Sequence, residues 1–161
     1  MTKLNPAASA YAEKLRLRVC GICIQDNKLL LVRHAHTIDN SCFWAPPGGG
    51  LDYGETMEQC LRREFQEETG LEVEVQRFLF INEFMQEPLH AVEMYFEVRI
   101  IGGNLQKGTD PEADAHEQMI EQVSFVGLDE INQIPQQDKH RVLHHLFSLD
   151  DLLGMSHHFL K

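Results

Sequence analysis

The stretch that most constrains this chain runs from Gly49 to Leu71, GGLDYGETMEQCLRREFQEETGL. It opens on glycines, passes through an acidic amphipathic segment and stops at a glycine. Local signals predict one helix. Thr56 is a good N-cap, and Gln59 three positions later completes a capping box. Gly70 suits the left-handed position that ends a helix. The residues between are mostly strong helix formers, with neither proline nor glycine. At 100° per residue Met57, Leu61 and Phe65 form an apolar stripe with Cys60 at its margin. Glu64, Glu67 and Glu68 share a neighbouring arc, while Arg62 and Gln66 point the other way.

Three carboxylates on one arc repel, and partial burial makes each costlier unless something neutralises it. A hard divalent cation with oxygen ligands, Mg²⁺ or Mn²⁺, would do so. Arg63, next to Glu64, is placed to pair with or orient a carboxylate. Taken alone, the three glutamates read as readily as a solvated helix face.

The surrounding spacing decides between these readings. Gly49, five residues, Glu55, seven residues, Arg63-Glu64-Phe65, one residue, Glu67-Glu68, one residue and Gly70-Leu71 together resemble the signature box of the Nudix hydrolases. So many fixed positions are far more specific than a lone glycine motif. Two departures stand out: Phe65 occupies a place where the family prefers an aliphatic residue. Upstream, Trp44-Ala45-Pro46-Pro47-Gly48-Gly49-Gly50 carries an extra proline and glycine relative to the family's Leu-Pro-Gly-Gly.

The resemblance implies hydrolysis of a nucleoside diphosphate linked to a group X, with Mg²⁺ or Mn²⁺ as cofactor. Position by position it implies that Glu64, Glu67 and Glu68 are metal carboxylates. Glu64, or a glutamate outside the box, would take the proton of the attacking water. Arg63 and Glu55 become orienting partners, although a first-turn carboxylate such as Glu55 also complements the helix dipole. Gly48, Gly49 and Gly50 shape a loop whose N–H groups can approach phosphate oxygens, and Trp44 is a candidate for stacking on a base. The family often recruits one more glutamate from a later loop, and Glu117 and Glu121 are the candidates here. Pro88, downstream of the box, loosely matches a family feature of ADP-ribose hydrolysis, so ADP-ribose or a nucleotide-sugar is the leading substrate. A MutT-like nucleoside triphosphate pyrophosphatase and a non-catalytic nucleotide-sensing module are the alternatives. A homodimer is the assembly that the resemblance makes plausible.

Composition bears on partners. A net charge of −11 argues against a nucleic-acid backbone as the main partner and makes an anionic phosphate substrate hard to hold without a cation. The beginning, MTKLNPAASAYAEKL, shows no apolar core of a secretory signal, and no run is long and apolar enough to span a bilayer. The expectation is a cytoplasmic protein with free thiols at Cys20, Cys23, Cys42 and Cys60. Cys20 and Cys23 fall in a strand-like run where residues three apart face opposite sides, which disfavours a shared metal or disulfide.

Elsewhere, residues 1–14 read as an arm and 15–161 as one domain. Strands are expected over Leu15–Ile24 and Leu29–Arg33 about a hairpin turn at Gln25–Lys28. Further strands are expected over Leu71–Ile81, His90–Ile101 and Gln122–Val126, with Asn82–Leu89 a loop and Lys107–Gln118 an acidic loop. Short and longer helices are expected over Leu128–Ile134 and Asp138–Phe147. On the latter, His140 and His144 stand four apart, a spacing that zinc sites use but that no cysteine or carboxylate pattern completes here. The order of elements suggests an α/β fold, a sheet covered by helices. The resemblance sharpens it to a Nudix-type α/β/α sandwich with a mixed β-sheet.

Overall fold

The computed structural model describes residues 12–35, 42–108 and 120–155 and the backbone of 159–160. Its strands are β1 (Leu15–Ile22), β2 (Ile24–Gln25), β3 (Lys28–Ala35), β4 (Cys42–Ala45), β5 (Gly48–Gly50), β6 (Leu71–Gln86), β7 (Leu89–Gly103), β8 (Ile120–Gly127) and β9 (Phe159–Leu160). Helix α1 (Met57–Thr69) lies between β5 and β6, and α2 (Leu128–Gln133) and α3 (Asp150–Gly154) follow β8.

Two sheets form. One has the order β5-β1-β7-β6-β9 and is mixed, because β1 runs parallel to β7 but antiparallel to β5. In the other, β3 pairs with β2 and β4 and, along its length, with β8. Asp26 and Asn27, with φ of 51° and 56°, make the predicted hairpin turn between β2 and β3; two successive left-handed residues match the twist of the flanking strands.

The apolar residues divide into two cores. Cys60, Leu61 and Phe65 of α1 pack with Val19, Leu30, Val73 and Val98. Cys20, Ile22, Leu31, Phe80 and Tyr95 pack with Ile131 of α2 and Leu152 of α3. Helices therefore cover both sides of the strands, as an α/β/α sandwich requires. Cys20 and Cys23 fall in different cores, and all four cysteines are free thiols. Period-two alternation survives in β7, where Met94, Phe96, Val98 and Ile100 face the α1 core and Tyr95 the other.

Helix α1 begins and ends as expected. Gln59 N–H donates to Thr56 Oγ1 (3.2 Å), Thr56 N–H donates to Gln59 Oε1 (2.9 Å), and Gly70 closes the helix at φ 70°. The stripe is shifted, however: Met57 is exposed and Cys60 is fully buried in its place.

Three other expectations are corrected. Gly48–Gly50, expected as a loop, form strand β5. Asn82–Leu89 is no loop: β6 continues to Gln86 and turns tightly into β7. Buried Asn82 is tolerated in mid-strand because its Nδ2 donates to Glu93 Oε2 across the pair (2.9 Å). Finally, Asp138–Phe147 is not a helix but 3₁₀ turns at Gln136–Asp138 and Arg141–Leu143. Tertiary contacts overrule propensity there. Lys139 bridges to Trp44, His140 N–H donates to Trp44 O (2.8 Å), and Lys139 Nζ donates to Ile131 O (2.7 Å), so this backbone is drawn out beside β4. Val142, Leu143 and Leu146 are buried as expected, but Phe147 is exposed. His140 and His144 consequently share no helix face.

Candidate active site

Arg63 is the centre of the site. Its Nε donates to Glu55 Oε1 (2.8 Å) and its Nη2 to Glu55 Oε2 (3.0 Å), a two-pronged pair. The same Nη2 donates to Gly50 O (3.2 Å), tying α1 to β5. Nη1 donates to Glu64 Oε1 (2.8 Å) and to Glu67 Oε2 (3.3 Å). One guanidinium thus gathers three carboxylates from two turns of helix and the loop before it. Glu68, the most buried glutamate of helix α1, accepts from Gly48 N–H through Oε2 (2.9 Å).

The β5 backbone comes very close to the helix. A Cβ placed on Gly49 would overlap the Glu64 carboxylate. Only glycine leaves room for a carboxylate against the main chain at this position.

Electrostatics separate the carboxylates. The Arg63 hydrogen bond holds Glu55 below the usual carboxylate range. Burial pushes Glu64 above it, and the Glu67 charge adds to the shift against the pull of Arg63. Hydrogen bonding to Glu55 raises Arg63 further, so it stays charged. Burial, with Glu55 and Glu64 nearby, pushes the Cys60 thiol up to about 12, which makes it an inert packing residue.

Among the described residues, no three acidic, histidine or cysteine side chains converge on one point as a closed metal site, because Arg63 lies between Glu64 and Glu67. The donors nonetheless fit a hard cation: they are all carboxylates, and partial burial pushes the Glu64 carboxyl up even with Arg63 bonded to it.

Other sequence candidates lie elsewhere. Trp44 packs against the core opposite α1. Glu121 is engaged by Cys42 Sγ (3.0 Å) and Arg33 Nε (3.4 Å) of the β3–β4 pair. Glu117 lies outside the described residues. Of the C-terminal histidines, His144 Nε2 contacts the main-chain oxygens of Gln136 and Lys139 (3.0 and 3.2 Å), and His140 faces Glu93 (2.8 Å).

A polar group beside the site is missing from the sequence reading. Glu93, His140, Asn82 and Tyr95 meet inside the protein, with Arg18 next to them. Burial alone would raise Glu93, but His140, then Arg18 and Asn82, outweigh it and hold the carboxyl at about 2. The one available signal was an ionisable residue at mid-strand in β7, on the face that alternation gives to Tyr95.

Residues 14–147 match the family model of the NUDIX domain, and the chain belongs to that family. It is similar to an ADP-ribose pyrophosphatase from Methanocaldococcus jannaschii, 38% identical over 94 residues that cover 57% of this chain and 55% of that one. It is also similar to nucleoside triphosphatase NudI from an Enterobacter species, 43% identical over 63 residues, covering 37% of this chain and 43% of that protein. The chain spans about half the length of these curated relatives. A NUDIX hydrolase from Nitrosomonas europaea has the same fold, with a TM-score of 0.65, 19% identity and 88% of each chain covered. Among the described residues no helix is long and apolar enough to cross a membrane.

Proposed function

We propose that this protein is a metal-dependent pyrophosphohydrolase that cleaves the diphosphate of a nucleoside diphosphate linked to a group X, with ADP-ribose or a nucleotide-sugar as X-bearing substrate. The observation that carries the reading is the Arg63 cluster: Glu55, Glu64 and Glu67 on one guanidinium, set against glycine backbone, with Glu68 held on the Gly48 amide. A solvated acidic face has no need of a carboxylate pressed on a glycine strand.

In this reading Glu64, Glu67 and Glu68 hold Mg²⁺ or Mn²⁺. The cation, when bound, would acidify a water and offset charge on the diphosphate. Glu64, already pushed up by burial, is the in-box candidate to receive the water's proton. Glu55 anchors Arg63, and Arg63 orients Glu64 and Glu67. Gly48–Gly50 let main chain lie close to the substrate. The similarity to an ADP-ribose pyrophosphatase supports the choice of X, and the similarity to a nucleoside triphosphatase supports the rival substrate class.

The test is a release assay over ADP-ribose, nucleotide-sugars, dinucleoside polyphosphates and nucleoside triphosphates, each with Mg²⁺, Mn²⁺ or EDTA. Cleavage of the first two classes that EDTA abolishes is expected. Cleavage of triphosphates alone would move the assignment to the rival, and silence across the panel would leave a binding module. Glu67→Gln should lower turnover about 100-fold or more at saturating Mg²⁺, at least what outer-shell changes cost; survival within a few-fold would remove Glu67 from the metal set.

A further inference from the structure

Gly48 is where the buried polar group touches the carboxylate cluster. Its φ of 152° and the Val19 oxygen at the place where a Cβ would stand leave no space for a side chain. Its main chain lies in the β1–β5 pairing opposite Cys20, and a charged residue contacts it on each flank. On one flank Gly48 N–H donates to Glu68 Oε2 (2.9 Å); on the other Gly48 O accepts from Arg18 Nη2 (3.1 Å).

Arg18 is in turn oriented by Glu93. The two are register partners on parallel β1 and β7, so their side chains rise from the same face. Glu93 divides its oxygens. Oε2 takes Asn82 Nδ2 (2.9 Å) and Tyr95 OH (3.3 Å) and lies 2.8 Å from His140 Nε2. Oε1 faces Arg18 Nε at 3.7 Å, and that Nε is buried with no hydrogen-bond partner of its own. A buried carboxylate held by three groups is a rigid anchor, whereas an arginine with one free donor keeps its second prong for the Gly48 carbonyl.

We propose that Arg18 is a positioning residue of the hydrolytic site: anchored by Glu93, it holds the Gly48 main chain in the orientation that presents Glu68. The inference rests on the reading of Glu68 as a metal carboxylate. It adds a support, anchored inside the protein at Glu93, that runs through Arg18 to Gly48, outside the box.

The experiment measures Mn²⁺ affinity of the whole protein by calorimetric titration, with thermal melting of each variant alongside. Arg18→Met should bind Mn²⁺ about tenfold more weakly, the usual cost of losing an outer-shell partner, in a protein that still melts cooperatively. Arg18→Lys should recover part of the loss, since an ammonium still donates to a carbonyl. Glu93→Gln should weaken binding in the same direction, and the Arg18→Met/Glu93→Gln double variant should lose no more than Arg18→Met alone, because both act along one path. A general loosening would multiply the two losses instead and overturn the proposal, as would wild-type affinity in Arg18→Met. Glu68→Gln separates the levels. If it binds Mn²⁺ normally, the metal reading of Glu68 fails and this inference with it. If it binds poorly while Arg18→Met binds normally, only the inference falls. Should Arg18→Met not fold, Glu93→Gln decides, and unchanged affinity there overturns the proposal.

Discussion

Burial gives single residues their roles in this protein, and two make that measurable. Gly49 has no side chain, and the Glu64 carboxylate occupies the place where one would be. Gly49→Ala should therefore cost about 1–3 kcal/mol in urea unfolding, the usual penalty for overpacking, and lower turnover with it. Unchanged stability would mean that Glu64 swings aside freely. Glu93 carries a pH signature. Its carboxyl titrates at about 2 in the folded protein against an ordinary 4.5, so on acidification the unfolded chain takes up the proton first. The stability contributed by the carboxylate is complete above about pH 4.5 and is lost as pH falls toward 2. Glu93→Gln should accordingly be destabilised near neutral pH, by about 3–5 kcal/mol if the broken buried pair behaves typically. The gap to wild type should narrow steadily through that acid window. A gap independent of pH would show that Glu93 acts through packing alone.

At the scale of elements, α1 is the part whose ends are written locally. Thr56 and Gln59 satisfy each other's backbone donors, and Thr56→Ala should cost about 1 kcal/mol, read as a lowered Tm. No loss would mean that packing of Phe65 and Leu61 alone holds the first turn. The segment 138–147 is the opposite case. Its apolar spacing resembles a helix, and Val142, Leu143 and Leu146 do become buried. The backbone is nevertheless claimed by Trp44 O, which accepts from His140 N–H across a long stretch of chain, while the Lys139 ammonium is held by Ile131 O. Strand β6 likewise outruns its expected end, since Asn82 is paired with Glu93 across the β6–β7 ladder.

The whole molecule places its two cores on opposite faces of the strands, each core drawing on both sheets. Leu143 is fully buried in the core opposite α1. Leu143→Ala should cost about 2–5 kcal/mol through the cavity it leaves, while turnover of the folded protein at low temperature stays near wild type. A large loss of turnover would show that the far core sets the geometry of the Arg63 cluster. By itself the sequence determined helix α1 with its caps, the β2–β3 hairpin and the arc of Glu64, Glu67 and Glu68. All of these depend on residues within a few positions of one another, where spacing is geometry. Only the tertiary structure decided that the glycine segment is a strand beneath Glu64, that the C-terminal segment abandons its helix, and that Arg18, Glu93 and His140 meet behind the site. Those outcomes depend on pairings between distant strands and on which polar groups satisfy one another once water is excluded, and no local period encodes them.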